Sequence, residues 1–382
     1  MRASARGFKS LHLRFFYANQ QPGANGLKNK IIVIGELHQD LYYESDFYEQ
    51  LLSQIIDELI NLIRFNPDDL ANRKLLERII KRAFSETPKK IIGHCFFKRG
   101  GNGNNSSEYL AALGIPTKLM SVIGRGSKWM IPELQELGID TDAIYKIDEI
   151  TPVSTIIKSS FTTKIHLAPN LKNKMNFDGL DIPDDVFKNA KMLFSTPIAE
   201  KFIKLVEQGH DLGLITAYNI ETQKVQTIEK LDRLIKHRYD FFFFNLKDAY
   251  IILGEKKPVY EIDEIFKKYG RIRVYTAGKE GSYVLTDDLL ISYPGIEVSA
   301  IVDRTGAGDC YAAGFLSKIY ELIKDKDDLD AHLKPENSGK LEALLSECIE
   351  YASYTAIYKI TKQEAPDKEK MAKFIEEFDL GK

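Results

Sequence analysis

Four consecutive phenylalanines, Phe241–Phe244, constrain the architecture of this chain more than any other local feature. A strand with one wet face alternates apolar and polar residues. This run does not alternate, which suits a strand covered on both faces, as in a parallel sheet between two helix layers. Ile31–Ile34 (closed by Gly35), Lys118–Ile123, Met192–Phe194, Gly213–Ala217 and Ile272–Thr276 are further short apolar runs. Helical spacing over 198–209, 226–237 and 261–269 separates the later ones, and such alternation predicts right-handed βαβ units. The expected fold class is therefore α/β: a central, mostly parallel sheet with helices on both faces.

Other stretches read differently. Leu51, Ile55, Leu59 and Leu62 repeat at helical spacing, and Leu75, Ile79 and Phe84 continue the pattern after Asn66-Pro67-Asp68. Residues 47–84 are thus expected as a helical hairpin. Ile91–Phe97, Val153–Lys158 and Lys164–Leu167 read as strands, and Asp325–Lys340 as a solvated loop between helices.

Composition narrows the function classes. Lys and Arg number 53 and Asp and Glu 55 in 382 residues, so no domain-wide basic field awaits nucleic acid. No apolar run approaches the roughly eighteen residues that a membrane span needs. Cys95, Cys310 and Cys348 are odd in number and far apart, which predicts a reducing, cytoplasm-like compartment. The first 35 residues hold no acid but carry Arg2, Arg6, Lys9, Arg14, Lys28 and Lys30. A basic leader over 1–29 reads as an organelle transit peptide, or as a disordered tail or an upstream start. The seven histidines show no zinc-type spacing.

The strongest chemical signal is the run from Asp303 to Phe315, which contains Thr305-Gly306-Ala307-Gly308-Asp309-Cys310. A β-like run, Val298–Val302, enters it and an amphipathic run through Tyr320 leaves it. Small residues at 306–308 let the chain turn with its N–H groups exposed at a helix start, an arrangement that stabilises phosphate oxygens. Asp309 stands where a carboxylate can take a proton from an attacking hydroxyl. Read alone, the run serves equally well as a strand–helix turn capped by Asp309. No Lys-Ser or Lys-Thr follows the glycines, so it is not a Walker A loop. Cys310 reads as a small packing residue.

These residues resemble the C-terminal signature of the ribokinase-like (PfkB) carbohydrate kinase family. The resemblance implies that Asp309 is the general base and that Gly306, Ala307 and Gly308 form the anion hole. Further ordered matches extend it. Gly35 followed by Asp40 resembles the family's first-strand segment, whose aspartate binds substrate hydroxyls. Gly100-Gly101-Asn102-Gly103-Asn104-Asn105 resembles its Gly-Gly-x-x-x-Asn, so Gly100, Gly101 and Asn105 fall on the substrate. Asn245-Leu246-Lys247-Asp248 resembles its Asn-x-x-Glu, with Asp248 replacing the glutamate that reaches Mg2+ indirectly. Thr276-Ala277-Gly278-Lys279-Glu280-Gly281 matches its nucleotide-side Thr-x-Gly-x-x-Gly, placing Asn245, Thr276, Gly278 and Gly281 along ATP. Tyr351–Pro366 resembles its closing helix beside adenine. Asp303 is where a monovalent cation such as K+ would sit, and Arg304 departs from the small residue or proline usual beside it. A second departure is Arg125-Gly126 after Gly124.

The resemblance adds a small β-lid, expected from about 41–46, 90–100 and 150–168, to a kinase domain over 30–382. It implies ATP-dependent phosphorylation of a hydroxyl on a small sugar or sugar-like substrate, with Mg2+. A nucleoside kinase and a catalytically weak sugar- or nucleotide-binding sensor are the alternatives. Lid strands with exposed edges also admit a homodimer.

Overall fold

The computed structural model describes residues 29–65, 73–86, 90, 92–158, 163–166, 169–222, 225–298 and 300–380. The basic leader, apart from Asn29, lies outside the described residues.

Two sheets organise the chain. The strands are β1 (Lys30–Gly35), β2 (His38–Glu44), β3 (His94–Gly100), β4 (Thr117–Arg125), β5 (Ile144–Ile150), β6 (Val153–Lys158), β7 (Thr163–His166), β8 (Ala190–Thr196), β9 (Ile215–Asn219), β10 (Tyr239–Asn245), β11 (Gly270–Thr276), β12 (Ser282–Leu285) and β13 (Leu290–Tyr293). Nine of them form the central sheet in the order β13-β12-β11-β10-β9-β8-β1-β4-β5, parallel except for the two pairings that β12 makes. The remaining four form a separate small sheet in the order β3-β2-β6-β7.

The phenylalanine strand shows why the sheet is covered twice. Phe241 and Phe243 pack on Phe315 of α10 (Ala307–Leu322), with ring centroids 6.1 and 5.6 Å away. Phe242 and Phe244 point the other way, to Phe266 of α9 (Val259–Phe266), at 6.1 and 5.1 Å. Successive side chains of a strand alternate sides, so four buried rings need a helix layer on each face. One layer is α3 (Asn102–Ala112), α10, α12 (Ser338–Lys362) and α13 (Lys368–Leu380). The other is α6 (Glu200–Asp211), α7 (Ile228–Leu234), α8 (Leu246–Leu253) and α9. The hairpin is α1 (Phe47–Phe65) and α2 (Arg73–Glu86), set between β2 and β3; α4 (Met130–Glu136), α5 (Pro169–Lys174) and α11 (Lys326–His332) complete the set.

Two expectations are corrected. Val298–Val302 is not a strand: its described residues are irregular, and Ile301 and Val302 are exposed. The central sheet already ends at β13, so the Val302 and Asp303 amides turn to the carbonyl of Ile360, near the end of α12. Asp325–Lys340 is not a loop throughout, because it contains α11. Asp325 caps that helix by accepting from the Asp328 amide at 3.0 Å, and Asp327 and Asp328 sit in its first turn, where acids are favoured. The acid run is a helix start. β5, β12 and β13 carried no sequence signal strong enough to be placed.

Candidate active site

Parallel strands bring their carboxyl ends to one edge. Gly35 pairs in register with Thr196, Phe243 with Asn219, and Asn245 with Thr276, so the ends of five strands, β1, β8, β9, β10 and β11, lie along one edge. This edge is where open α/β sheets bind ligands. The 303–309 turn delivers α10 to the same place.

Gly306 precedes α10 with φ +75°, and no side chain caps the helix. The first intrahelical bond runs from the Cys310 amide to the Gly306 carbonyl at 2.9 Å. Ala307 N–H turns instead to the Arg304 carbonyl at 3.2 Å, leaving the Gly308 and Asp309 amides at the uncapped front of the helix. Beyond the backbone of its own helix, a Cβ at Gly308 would meet no atom within 4 Å, so open space lies beside this positive helix end. That space and dipole fit a phosphate group.

Asp309, 7% exposed, occupies the first turn. Burial pushes its carboxyl up to about 7; the Asn105 hydrogen bond opposes this, and the charge of Glu221 adds to it. Asn105, on α3, donates from Nδ2 to Asp309 Oδ2 at 3.0 Å. A carboxylate with a value this close to neutrality is suited to proton transfer. Cys310 is fully buried, donates to the Thr355 carbonyl at 3.3 Å, and burial pushes its thiol up, as a packing residue requires.

On the small sheet, Asp40 lies 3.2 Å from Nε2 of buried His38. Two glycines make room for this pair. A Cβ at Gly100 would fall 2.2 Å from Asp40 Oδ2, and one at Gly101 would fall 2.3 Å from the Glu36 carbonyl and 3.0 Å from His38 Nδ1. The Gly-Gly step therefore serves close packing of Asp40 and His38, whatever ligand also approaches it. Behind them Glu36 pairs with Lys201 at 3.0 Å and with Lys172 at 3.5 Å. Tyr42 shares the Asp40 face, by the two-residue alternation of β2, and its ring stacks on Phe96 at 5.2 Å. Burial, then Asp40 and Asp303, push Tyr42 up to about 12, so the field of the 303–309 turn reaches this face.

On the opposite side, Asn245 is the N-cap of α8, accepting from the Lys247 amide at 2.9 Å and donating to Thr276 Oγ1 at 3.2 Å. Asp248 is half-buried in the first turn of α8 and accepts from Thr222 Oγ1 at 3.0 Å. Burial pushes its carboxyl up, and among the described residues no ion pair reaches it. An acid without a protein counter-charge fits a Mg2+ ion that keeps its waters and is held mainly by phosphates. Among the described residues no group of three or more His, Cys, Asp or Glu side chains is placed to hold a metal ion. The Thr276–Gly281 turn joins the antiparallel β11 and β12. Gly278 borders open space, whereas Gly281 (φ +101°) is packed so that a Cβ would lie 2.0 Å from the Tyr293 carbonyl. Asp303 Oδ1 accepts from the Thr305 amide at 2.9 Å.

The fold thus brings Asp309, Gly306, Gly308 and Asn105 together, with Asp40 and Gly100 on the small sheet, Gly101 at the start of α3, and Asn245, Asp248 and Thr276 on the far side. Several neighbours escaped sequence reasoning: His38, the Glu36–Lys172–Lys201 group, and Glu221 and Thr222 after β9. Asn102 donates to Glu221, tying that segment to the start of α3. The polar residues Asn219, Glu221 and Thr222, which close an apolar strand with only Ile220 between them, were the available signal. Lys172 and Lys201 had none, because only tertiary packing brings them to Glu36.

Comparison with known proteins agrees with this architecture. The model of the pfkB family carbohydrate kinases matches residues 77–370. A nucleoside kinase of Methanocaldococcus jannaschii is 27% identical over 234 residues, 59% of this chain and 74% of that protein. The 2-dehydro-3-deoxygluconokinase of Bacillus subtilis is 24% identical over 261 residues, 60% and 78% of the two chains. Among solved structures, Arabidopsis thaliana ribokinase complexed with ribose and ATP superposes with a TM-score of 0.64 at 16% identity, covering 91% of this chain and 98% of that one. The family match spans well over half of the chain and includes the Gly306–Asp309 turn, so this protein belongs to the pfkB family of carbohydrate kinases, enzymes that transfer a phosphoryl group to an alcohol.

Proposed function

We propose that the protein uses ATP to phosphorylate a hydroxyl of a sugar or sugar-like substrate, with Asp309 as general base. The observation that carries this is the pairing of a buried carboxylate, near neutrality, with an uncapped helix front bordered by open space. Asp40 accepts hydrogen bonds from substrate hydroxyls, as an ionised carboxylate does, and Gly100 and Asn105 hold the neighbouring surface. Asp309 takes the proton of the attacking hydroxyl. The Gly306–Gly308 turn and the front of α10 face the negative charge that develops on the transferring phosphoryl group. Asn245 and Thr276, bonded to each other, border the nucleotide with Gly278. Mg2+, reached through water from Asp248, would supply charge neutralisation on the phosphates.

A nucleoside is the second reading. The stacked Tyr42–Phe96 pair on the Asp40 face offers an aromatic surface to a base, and the Methanocaldococcus relative is named a nucleoside kinase.

The deciding experiment measures ADP release with ATP and Mg2+ against D-ribose, D-fructose, 2-dehydro-3-deoxygluconate, adenosine and cytidine. Turnover with one class at least tenfold above the others is expected. Stabilisation against heat by these ligands without any ADP release would replace the kinase reading by the binding-sensor one.

A further inference from the structure

A continuous run of hydrogen bonds links the small sheet to Asp309. Arg99, on β3, donates from Nη1 to Asn104 Oδ1 at 3.1 Å. Asn104 donates from Nδ2 to Asn105 Oδ1 at 3.2 Å, and Asn105 donates from Nδ2 to Asp309 Oδ2 at 3.0 Å. Asn104 is 2% exposed. Arg99 is itself fixed, with Nη2 3.2 Å from Glu108 on α3 and Nε 3.0 Å from Glu133 on α4.

The chemistry of the first member sets the direction of the whole run. A guanidinium has five N–H donors and no acceptor, so the Asn104 atom facing it is the oxygen. The Asn104 NH2 group then faces Asn105 and selects its oxygen. That leaves the Asn105 NH2 group, and not its oxygen, towards Asp309. Without Arg99 either amide could turn over at little cost, and a turned Asn105 would place an oxygen against a carboxylate.

We propose that Arg99 and Asn104 are positioning residues that hold the donor end of Asn105 on Asp309, so that the small sheet sets the orientation and basicity of the general base. This rests on the reading of Asp309 as the base. A donor favours the ionised carboxylate, the form that accepts a proton, against the burial that disfavours it. The other groups facing this corner are Glu221 after β9, Tyr109 on α3 and Lys359 on α12. Glu221 and Tyr109 couple to Asp309, and Lys359 to Cys310, its neighbour. None of them is part of the run. Because Arg99 directly precedes Gly100, whose missing Cβ admits Asp40, one strand end serves both the acceptor carboxylate and the base.

The test uses Asn104→Asp, which keeps the shape and the Arg99 bond but cannot donate to Asn105. Arg99→Met, which removes every donor facing Asn104 and adds no acid near Asp309, is the second variant, measured alongside the first. The pH profile of kcat/KM is measured with whichever of the five acceptors above gives ADP fastest. The acid limb is expected to move up by about one pH unit, roughly a tenfold loss below it, with activity recovered at high pH. A KM for ATP unchanged in the same variants is also expected. A uniform loss at every pH, or an unmoved acid limb, overturns the proposal. Asp309→Asn run in parallel separates the two readings. If it retains turnover, the base assignment fails. If it is inactive while both positioning variants keep the parent profile, only the present inference fails.

Discussion

Asp309→Asn is expected to lower kcat by about 10²–10⁴-fold, the usual contribution of a positioned general base, with ATP binding retained. The amide keeps the size of the carboxyl and can still face Asn105, so the turn at 306–308 stays in place. What it cannot do is accept the acceptor's proton. In the parent, burial raises the Asp309 value to about 7, so kcat/KM should climb as pH rises through neutrality, following the ionised fraction of the free enzyme. A rate profile measured between pH 5.5 and 9 checks this, and a flat profile with a nearly active Asn variant would remove Asp309 from the base role.

The same shift has a stability consequence of definite sign. The folded state holds the Asp309 proton up to about pH 7, whereas an unfolded carboxyl loses it near 4. Between those values the native state binds more protons than the unfolded one, so stability falls as pH rises, and the loss is complete above about 7. Asp309→Asn removes the ionising group. The variant should match the parent near pH 4 and exceed it above pH 7, by up to roughly 4 kcal/mol on a shift of about three units. A higher melting temperature at pH 8 together with lost turnover is the signature of a residue kept for chemistry at the expense of stability.

Arg273→Ala should cost about 3–5 kcal/mol, the range for breaking a buried ion pair from one side. Arg273 on β11 is 1% exposed. It binds Asp263 of α9 through two nitrogens, at 2.9 and 2.5 Å, and also donates to the Thr286 carbonyl at 2.7 Å and to Asp287 at 3.1 Å. Asp263 is 5% exposed and also accepts from the Tyr275 hydroxyl at 2.9 Å. Truncating the arginine leaves that carboxylate buried with one neutral donor. The fork also joins β11 to the β12–β13 hairpin and to α9, and β11 carries Thr276 to the site. Urea unfolding should show a lower midpoint with unchanged slope. The double variant Arg273→Met, Asp263→Leu should recover much of the loss, since apolar replacement of both partners removes the stranded charge. A single Arg273→Ala variant as stable as the parent would contradict the pairing.

How much of this was legible in the sequence differs from element to element. The phenylalanine strand was, because four apolar residues in a row have only one comfortable setting, and the rings divide between Phe315 and Phe266 as that setting requires. The hairpin at 47–84 was legible for the same reason, helical period in a long window. Val298–Val302 misled, since β-branched residues favour strands only where a partner strand exists, and the sheet had already ended. Asp325–Lys340 misled because acids read as solvated loop also serve as an N-cap and first turn.

The site divides along the same line. Sequence alone determined which groups exist and what they can do chemically: a glycine turn before a helix, an aspartate behind it, a Gly-Gly step, an asparagine four residues past it. These are local properties of residue type and spacing. Tertiary structure alone decided what Gly100 and Gly101 make room for, which way the Asn105 amide faces, and how strongly Asp309 holds its proton. Burial and orientation come from segments some two hundred residues apart meeting at one sheet edge, and neither hydrogen-bond polarity nor desolvation is a property of a single stretch of chain.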